Sequence, residues 1–244
     1  MEYKQYIKLY EVETEHWWFS ARKKIIAHIV DKKIKKNRNS TLLDFGCGTG
    51  AILDELSKKY TTYGADMSEL AISFCKKRNL SNIFTNDHFF NNSEYKGKFD
   101  IVTVLDVIEH IDEDQQLLEK LKDLLAEDGS IVITVPAYQF LFGAHDIANM
   151  HKRRYNKKGL RKVVESAGYQ IYKLSYFNTF TAPLIILRRF LDRNEKGWEY
   201  SMDYDIPNKF LNAILKFVFG LEKHILSSIS MPFGISILCI AKKR

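Results

Sequence analysis

The feature that most constrains this chain is a change of hydrophobic period at residue 41. From there "TLLDFG", "TTYGADM", "SNIFTND", "FDIVTVLD" and "GSIVITVP" follow as short apolar runs, mostly β-branched, each stopped by a polar or glycine-bearing turn. Near-continuous apolar runs of this kind belong to strands buried on both faces, as in a parallel sheet. Helical patterns lie between them. Residues 50–59 form one, and residues 69–77 another with Ser68 as its N-cap. A third runs from Asp112 to Ala126, with Leu117, Leu118, Leu121, Leu124 and Leu125 at helical spacing and Gly129 placed to end it. Strands and helices in alternation predict an α/β doubly wound fold.

Residues 1–36 read as a helical cap, with Tyr6, Leu9, Tyr10, Trp17, Trp18, Ala21, Ile25, Ile26 and Ile29 at helical spacing. After residue 136 the rhythm loosens into a helix at "KKGLRKVVESAG" and a strand at "YQIYKLSYF". Two helical stretches follow, residues 181–193 and 207–228, before the closing strand "ISILCIAKK". The expected organisation is one domain over residues 1–244: a cap at 1–36, a ligand-binding core at 41–177, a helical insertion at 178–230 and a last strand within 231–244. A hydrophobic fraction of 45% supplies a core for such a domain and excludes a disordered chain.

The net charge of +7 suits an anionic partner, whether phosphate, nucleic acid or a membrane surface, although a lysine-rich chain can be basic without one. Cys47, Cys75 and Cys239 are odd in number and contain no C-x-x-C, so neither a disulfide framework nor a cysteine zinc site is expected. The start, "MEYKQYIKLYEVE", has no apolar signal region, and no apolar run reaches the length of a spanning helix. These features predict a cytoplasmic protein in a reducing compartment, able to touch the inner face of a membrane.

"LLDFGCGTGAIL" carries most of the chemical information. Gly46, Gly48 and Gly50 follow a strand and open a helix, where missing Cβ atoms let backbone turn tightly against a ligand. Alone, the stretch is also compatible with a plain βα connection or with a dinucleotide fingerprint whose third small residue is Ala51. Three acids narrow the choice. Asp44 stands at the first strand's end, where it can meet an ammonium group. Asp66 ends the second strand, placed to take both hydroxyls of a ribose, and Asp87 ends the third, placed to accept from an adenine amino group. One acid at each of three successive strand ends suits a nucleoside bearing an α-amino acid.

With these residues the chain resembles the class I S-adenosylmethionine-dependent methyltransferases, most densely between residues 41 and 135. The resemblance implies a Rossmann-like seven-stranded sheet. It places Gly46 and Gly48 under the methionine part of the cofactor, Asp66 on the ribose, Met67 against adenine, Asp87 at the adenine edge and Leu105 beside the sulfonium. "EHWWFSARKKII" is similar to the N-terminal helix of small-molecule methyltransferases found with bacterial surface-polysaccharide and lipid-modifying enzymes. That likeness implies that Arg22 meets the cofactor carboxylate. Trp17 and Trp18 then cap the pocket or serve as core aromatics.

"HDIANMHKRRY", residues 145–155, follows the fifth strand and so emerges at the sheet's carboxyl edge, where open α/β sheets bind ligands. His145 and His151 are six apart, which fits neither one helical face nor a zinc-ligand spacing, so no metal is expected. The loop resembles the H-D-x-x-x-x-H-x-R-R-Y segment of the polysaccharide-linked group. This implies an acceptor-side wall of His151, Arg153, Arg154 and Tyr155, the arginines clamping phosphate or carboxylate, with His145 as base. His110 in "EHI" is the rival base, or simply a helix-entry residue. The expected reaction is methyl transfer to an oxygen or nitrogen of a small molecule, a sugar or a phosphate-bearing or lipid-linked glycan precursor. An RNA methyltransferase, a nicotinamide-dependent oxidoreductase and a non-catalytic scaffold are the alternatives.

Overall fold

The computed structural model describes residues 3–34, 39–191 and 205–244, and the side chains of residues 5–34, 39–187 and 205–244. Its seven strands are β1 (Thr41–Phe45), β2 (Thr61–Asp66), β3 (Ile83–Thr85), β4 (Phe99–Leu105), β5 (Leu125–Pro136), β6 (Tyr169–Phe177) and β7 (Ser236–Lys243). They form one sheet in the order β3-β2-β1-β4-β5-β7-β6, parallel except for β7, which runs antiparallel to both β5 and β6. The chain moves outward from β1 to β3 and then restarts beside β1 with β4. The carboxyl ends of β1 and β4 therefore flank a topological switch point, the place where such sheets bind ligands.

The middle of the sheet is a continuous apolar layer. In β1, Leu42, Leu43 and Phe45 are buried, and in β4 Ile101, Val102 and Val104 are fully so, because both faces are covered. Helices α3 (Ala51–Ser57), α4 (Glu69–Lys77), α6 (Asp114–Leu124) and α8 (Lys157–Ser166) provide much of that cover. Ser68 caps α4, its hydroxyl accepting from the Ala71 N–H, as the sequence predicts.

Two boundaries differ from expectation. The cap is not one helix but α1 (Tyr3–Val12) and α2 (Trp17–Ile29), the latter continuing as a π-turn to Ile34. The break follows from Glu13 and His16. Glu13 is buried against Thr49 Oγ1 (2.6 Å) and Arg78 Nη2 (2.5 Å), while His16 Nδ1 accepts from the Trp18 N–H and starts α2. Gly129, expected to end a helix, lies instead inside β5, since α6 stops at Leu124 and the chain passes directly into the strand. A Cβ at Gly129 would meet Ala126 O at 2.8 Å and Phe99 O at 3.0 Å, beside the register shift between Phe99 and Ile101. The glycine serves a bulge.

The insertion expected at 178–230 holds α9 (Ala182–Leu191) and α10 (Lys209–Ser228), and α10 packs along α2. Asn212 ties this pair together, its Oδ1 accepting from the Trp17 N–H (2.8 Å) and its Nδ2 donating to Glu15 O (3.0 Å). Among the described residues no helix is long and apolar enough to cross a membrane.

Candidate active site

A cavity of about 810 Å³ opens at the switch point. The glycine loop and β-strand tips form its floor, α1 and α2 its roof, and the 145–154 loop one wall. Its volume lies toward the upper end of the 300–1,000 Å³ usual for small-molecule sites, which suits a cofactor together with part of an acceptor.

Within the loop, Gly46 has φ +78° and a Cβ there would meet Val107 Cγ2 at 2.4 Å, so this glycine is imposed by protein packing. Gly48 has φ +54° and a Cβ there would meet no protein atom within 4 Å, leaving its backbone bare to the cavity. That is the cradle a ligand can approach. Asp66 braces it. One carboxylate oxygen accepts from the Gly48 N–H at 2.8 Å and the other from the Ser68 N–H at 2.9 Å, and each oxygen keeps a lone pair for a further donor. Met67, next along, lines the cavity with 80% of its surface exposed.

Asp44 is buried at the tip of β1 and accepts from Thr103 Oγ1 at 2.7 Å. Burial pushes its carboxyl up to about 6, against the pull of Thr103 and of Arg22. Such a group gains from a cationic ligand. Leu105 and Asp106 close the floor, Asp106 with φ +59°, a left-handed conformation uncommon outside glycine. Arg22 spans this floor from α2. Its Nη2 lies 2.8 Å from Asp106 Oδ2 and donates to Thr134 Oγ1 at 3.0 Å, and its guanidinium lies over the Trp18 ring, while its buried Nε has no hydrogen-bond partner among the described residues. Trp17 and Trp18 both line the cavity and pack on the core, so the alternatives of pocket cap and core aromatic coexist.

Three sequence-based assignments need correction. Asp87 does not end β3: the strand stops at Thr85, and Asp87 sits exposed in the first turn of α5 (Asn86–Asn91), outside the cavity lining. Asn86 takes the place at the wall, its Oδ1 buried and unpartnered among the described residues. Arg153 is also outside the lining, paired with Asp114 at 3.4 Å and Asp112 at 3.6 Å. Tyr155 is a buried pin whose hydroxyl donates to Asp114 Oδ2 at 2.6 Å, with burial and Asp114 holding its phenol well above the ordinary range. The phosphate clamp expected from two neighbouring arginines is therefore not formed.

The residue that organises the 145–155 loop is Asp146. Fully buried, it accepts from the Gly143 N–H (2.9 Å), His151 Nδ1 (2.8 Å) and Arg154 Nε (2.8 Å). Burial would raise its carboxyl, but these partners outweigh burial and hold it well below the usual carboxylate range. Arg154 also donates to Ala137 O at 3.2 Å, so the second arginine, though at the cavity wall, is spent on the loop. His145 and His151 both line the cavity, their rings 6.2 Å apart, and the His110 ring stands 4.7 Å from His151. Lys152 N–H donates to Glu109 O at 2.8 Å, locking the loop to the β4 tip. The basic run is thus not a free cationic strip, because Lys152 and Arg153 both pair with Asp112.

Sequence reasoning missed Glu109. It is fully buried, and its ligand-capable atoms and those of His110 and His151 all lie within 4.8 Å of one another, an arrangement able to hold a metal ion. The spacing rule that argued against a metal compared histidines within one segment. Here His151 lies 41 and 42 positions from its partners and meets them only through the fold.

A doubly wound sheet with a glycine loop after β1, an acid at the tip of β2, an antiparallel β7 and a helical roof fits the class I S-adenosylmethionine-dependent methyltransferases. Residues 17–174 match the methyltransferase-domain family, well over half the chain, and the chain belongs to that family. It is similar to the mitochondrial ubiquinone biosynthesis O-methyltransferase of Dictyostelium discoideum, 27% identical over 77% of this chain and 65% of that protein. It is also similar to a small RNA 2'-O-methyltransferase of Arabidopsis thaliana, 31% identical over 45% of this chain and 13% of that protein. Against these curated relatives the chain spans less than two thirds of their length. Among solved structures, an S-adenosylmethionine-dependent methyltransferase from Archaeoglobus fulgidus superposes with a TM-score of 0.58 at 20% identity, over 91% of this chain and 94% of that one. Phosphoethanolamine N-methyltransferase 2 of Haemonchus contortus, solved with S-adenosyl-L-methionine, gives 0.56 at 14% identity, over 93% and 52%. The sheet order is that of the family, and the cofactor is S-adenosylmethionine.

Proposed function

We propose that this chain transfers the methyl group of S-adenosylmethionine to a hydroxyl oxygen of a small-molecule acceptor, a sugar unit of a phosphate-bearing or lipid-linked glycan precursor. The observation that carries the reading is that one cavity is lined both by the bare Gly48 backbone, Asp66 and Asp44 and by the histidine-bearing 145–151 segment. Asp66 takes the ribose hydroxyls, Met67 covers adenine, Asn86 replaces Asp87 at the adenine edge, and Asp44 receives the amino group. Arg22, which lines the same cavity, offers its guanidinium to the carboxylate. The sulfonium then sits beside Leu105, facing His145 and His151.

Oxygen is favoured because the relative aligned over 77% of this chain is an O-methyltransferase. The sulfonium already makes the methyl reactive, so the chain's task is alignment, removal of water and disposal of the acceptor proton, for which His145 is the candidate base. The RNA alternative loses support because Lys152 and Arg153 are paired with Asp112 and Asp114. The test is transfer of label from methyl-labelled S-adenosylmethionine into fractionated cell extract. Label in small-molecule or lipid fractions supports the proposal. Label confined to RNA, or no transfer, opposes it.

A further inference from the structure

We propose that Glu109, His110 and His151 bind a divalent metal ion on the acceptor side of the cavity, where it holds and acidifies the acceptor hydroxyl. This deepens the methyl-transfer reading and rests on it.

The first observation is a carboxylate with nothing to do. Glu109 is 0% exposed and neither of its oxygens has a hydrogen-bond partner among the described residues. Isolated buried carboxylates are costly, and those retained in proteins are paired, protonated or bound to metal. A cation arriving between Glu109 and two imidazoles removes the conflict.

The second observation is that both histidines are oriented from behind. His151 Nδ1 donates to the carboxylate of Asp146 at 2.8 Å, which leaves the lone pair of Nε2 to bind a metal ion. His110 makes a hydrogen bond to the Met150 backbone. Ligating histidines are characteristically held this way by a carboxylate or backbone group on the other nitrogen. One carboxylate and two imidazoles are a ligand set used by zinc and other divalent transition ions, with positions left open for substrate.

The step balances without a further reactant. The metal-bound hydroxyl gives its proton to His145, the alkoxide oxygen forms a bond to the methyl carbon, and the carbon–sulfur bond breaks with its electron pair remaining on sulfur. The products are a methyl ether and S-adenosylhomocysteine.

The test uses untagged full-length protein stripped by chelator and dialysis, titrated calorimetrically with Zn²⁺, Mn²⁺ and Co²⁺ and followed by thermal unfolding. Wild type should bind one of these ions stoichiometrically and unfold at higher temperature with it. Glu109→Gln, which keeps the shape and removes the buried charge, should raise the unfolding temperature of the stripped protein and abolish the metal-induced rise. His151→Gln should weaken metal binding at least about tenfold, the scale on which even outer partners of ligands act. Absence of stoichiometric binding in wild type, or equal binding in Glu109→Gln, overturns the proposal. S-adenosylhomocysteine titrated into the same samples separates the two failures: retained cofactor binding without metal binding sinks only the metal site.

Discussion

Asp146 and Arg154 form an ion pair at 2.8 Å, and their side chains are 0% and 4% exposed. Removing one partner of such a buried pair strands the other charge and costs about 3–5 kcal/mol. Asp146→Ala should therefore lower stability by that order in a denaturant titration, and with it the order of residues 145–155. A loss under 1 kcal/mol would show that the loop does not depend on this pair. The pH sign follows from the depressed carboxyl. Its contribution is complete above the unfolded value of 3.8 and disappears as pH falls through the lower folded value, so wild type and variant should converge in strong acid.

Asp44 gives the opposite sign. Its folded carboxyl sits at about 6, above the unfolded 3.8, so ionised Asp44 costs the ligand-free protein stability as pH rises through that window. A ligand ammonium group reverses the preference. Affinity for S-adenosylhomocysteine should rise between pH 5 and 7 in wild type, approaching about tenfold per pH unit below the pKa, where one protonation controls binding. Asp44→Asn should flatten the profile. A pH-independent wild type would remove Asp44 from the amino group.

Gly48→Ala separates folding from binding. The new methyl meets no protein atom, so the cost to the fold is the left-handed backbone alone, about 1–2 kcal/mol. The methyl does enter the space assigned to the cofactor. The variant should fold yet lose most affinity for S-adenosylhomocysteine, as read by calorimetry beside a melting curve. Unchanged affinity would place the ligand elsewhere.

Much of this was legible in the sequence, for identifiable reasons. The parallel strands announce themselves because burial on both faces makes each run apolar throughout, and the glycine loop because a backbone turn of this kind leaves few alternatives to glycine. Asp44, Gly48 and Asp66 line the cavity because strand tips converge at the switch point whatever surrounds them. Asp87 misled because β3 is only Ile83–Thr85, and a two-residue error there turns a strand-end acid into an exposed helical one. Arg153 and Tyr155 misled because their partners, Asp112 and Asp114, lie about forty positions away in the chain. Glu109 was invisible for the same reason: that a buried acid lacks partners is a property of packing, not of pattern.

The basic residues of the insertion's first helical stretch, Arg188, Arg189 and Arg193, fall outside the described side chains, so the membrane contact expected from the sequence is tested on α10. On α10, Phe210, Ile214, Phe217 and Leu221 form an exposed apolar stripe, with Phe210 77% and Phe217 67% exposed. Lys216 lies near Lys23 and Lys24, and burial together with those charges brings its amine down. Basic residues near anionic lipid contribute about 1 kcal/mol each. The protein should float with anionic vesicles at low salt, and Phe210→Ser with Phe217→Ser should stay at the bottom of the gradient. Wild type at the bottom in every condition would direct the search to soluble, nucleotide-linked sugars.

The measurement that bears most directly on the cavity is a calorimetric titration of the wild-type protein with S-adenosylhomocysteine and, separately, with NADH. Both ligands carry adenosine, but only the first presents an α-amino acid to Asp44 and Arg22, and only the second presents a pyrophosphate to the glycine loop. Saturable binding of S-adenosylhomocysteine at one site per chain, weakened by Arg22→Met far more than adenosine binding is, and no response to NADH, is the expected result. Saturable NADH binding with no response to S-adenosylhomocysteine would contradict it.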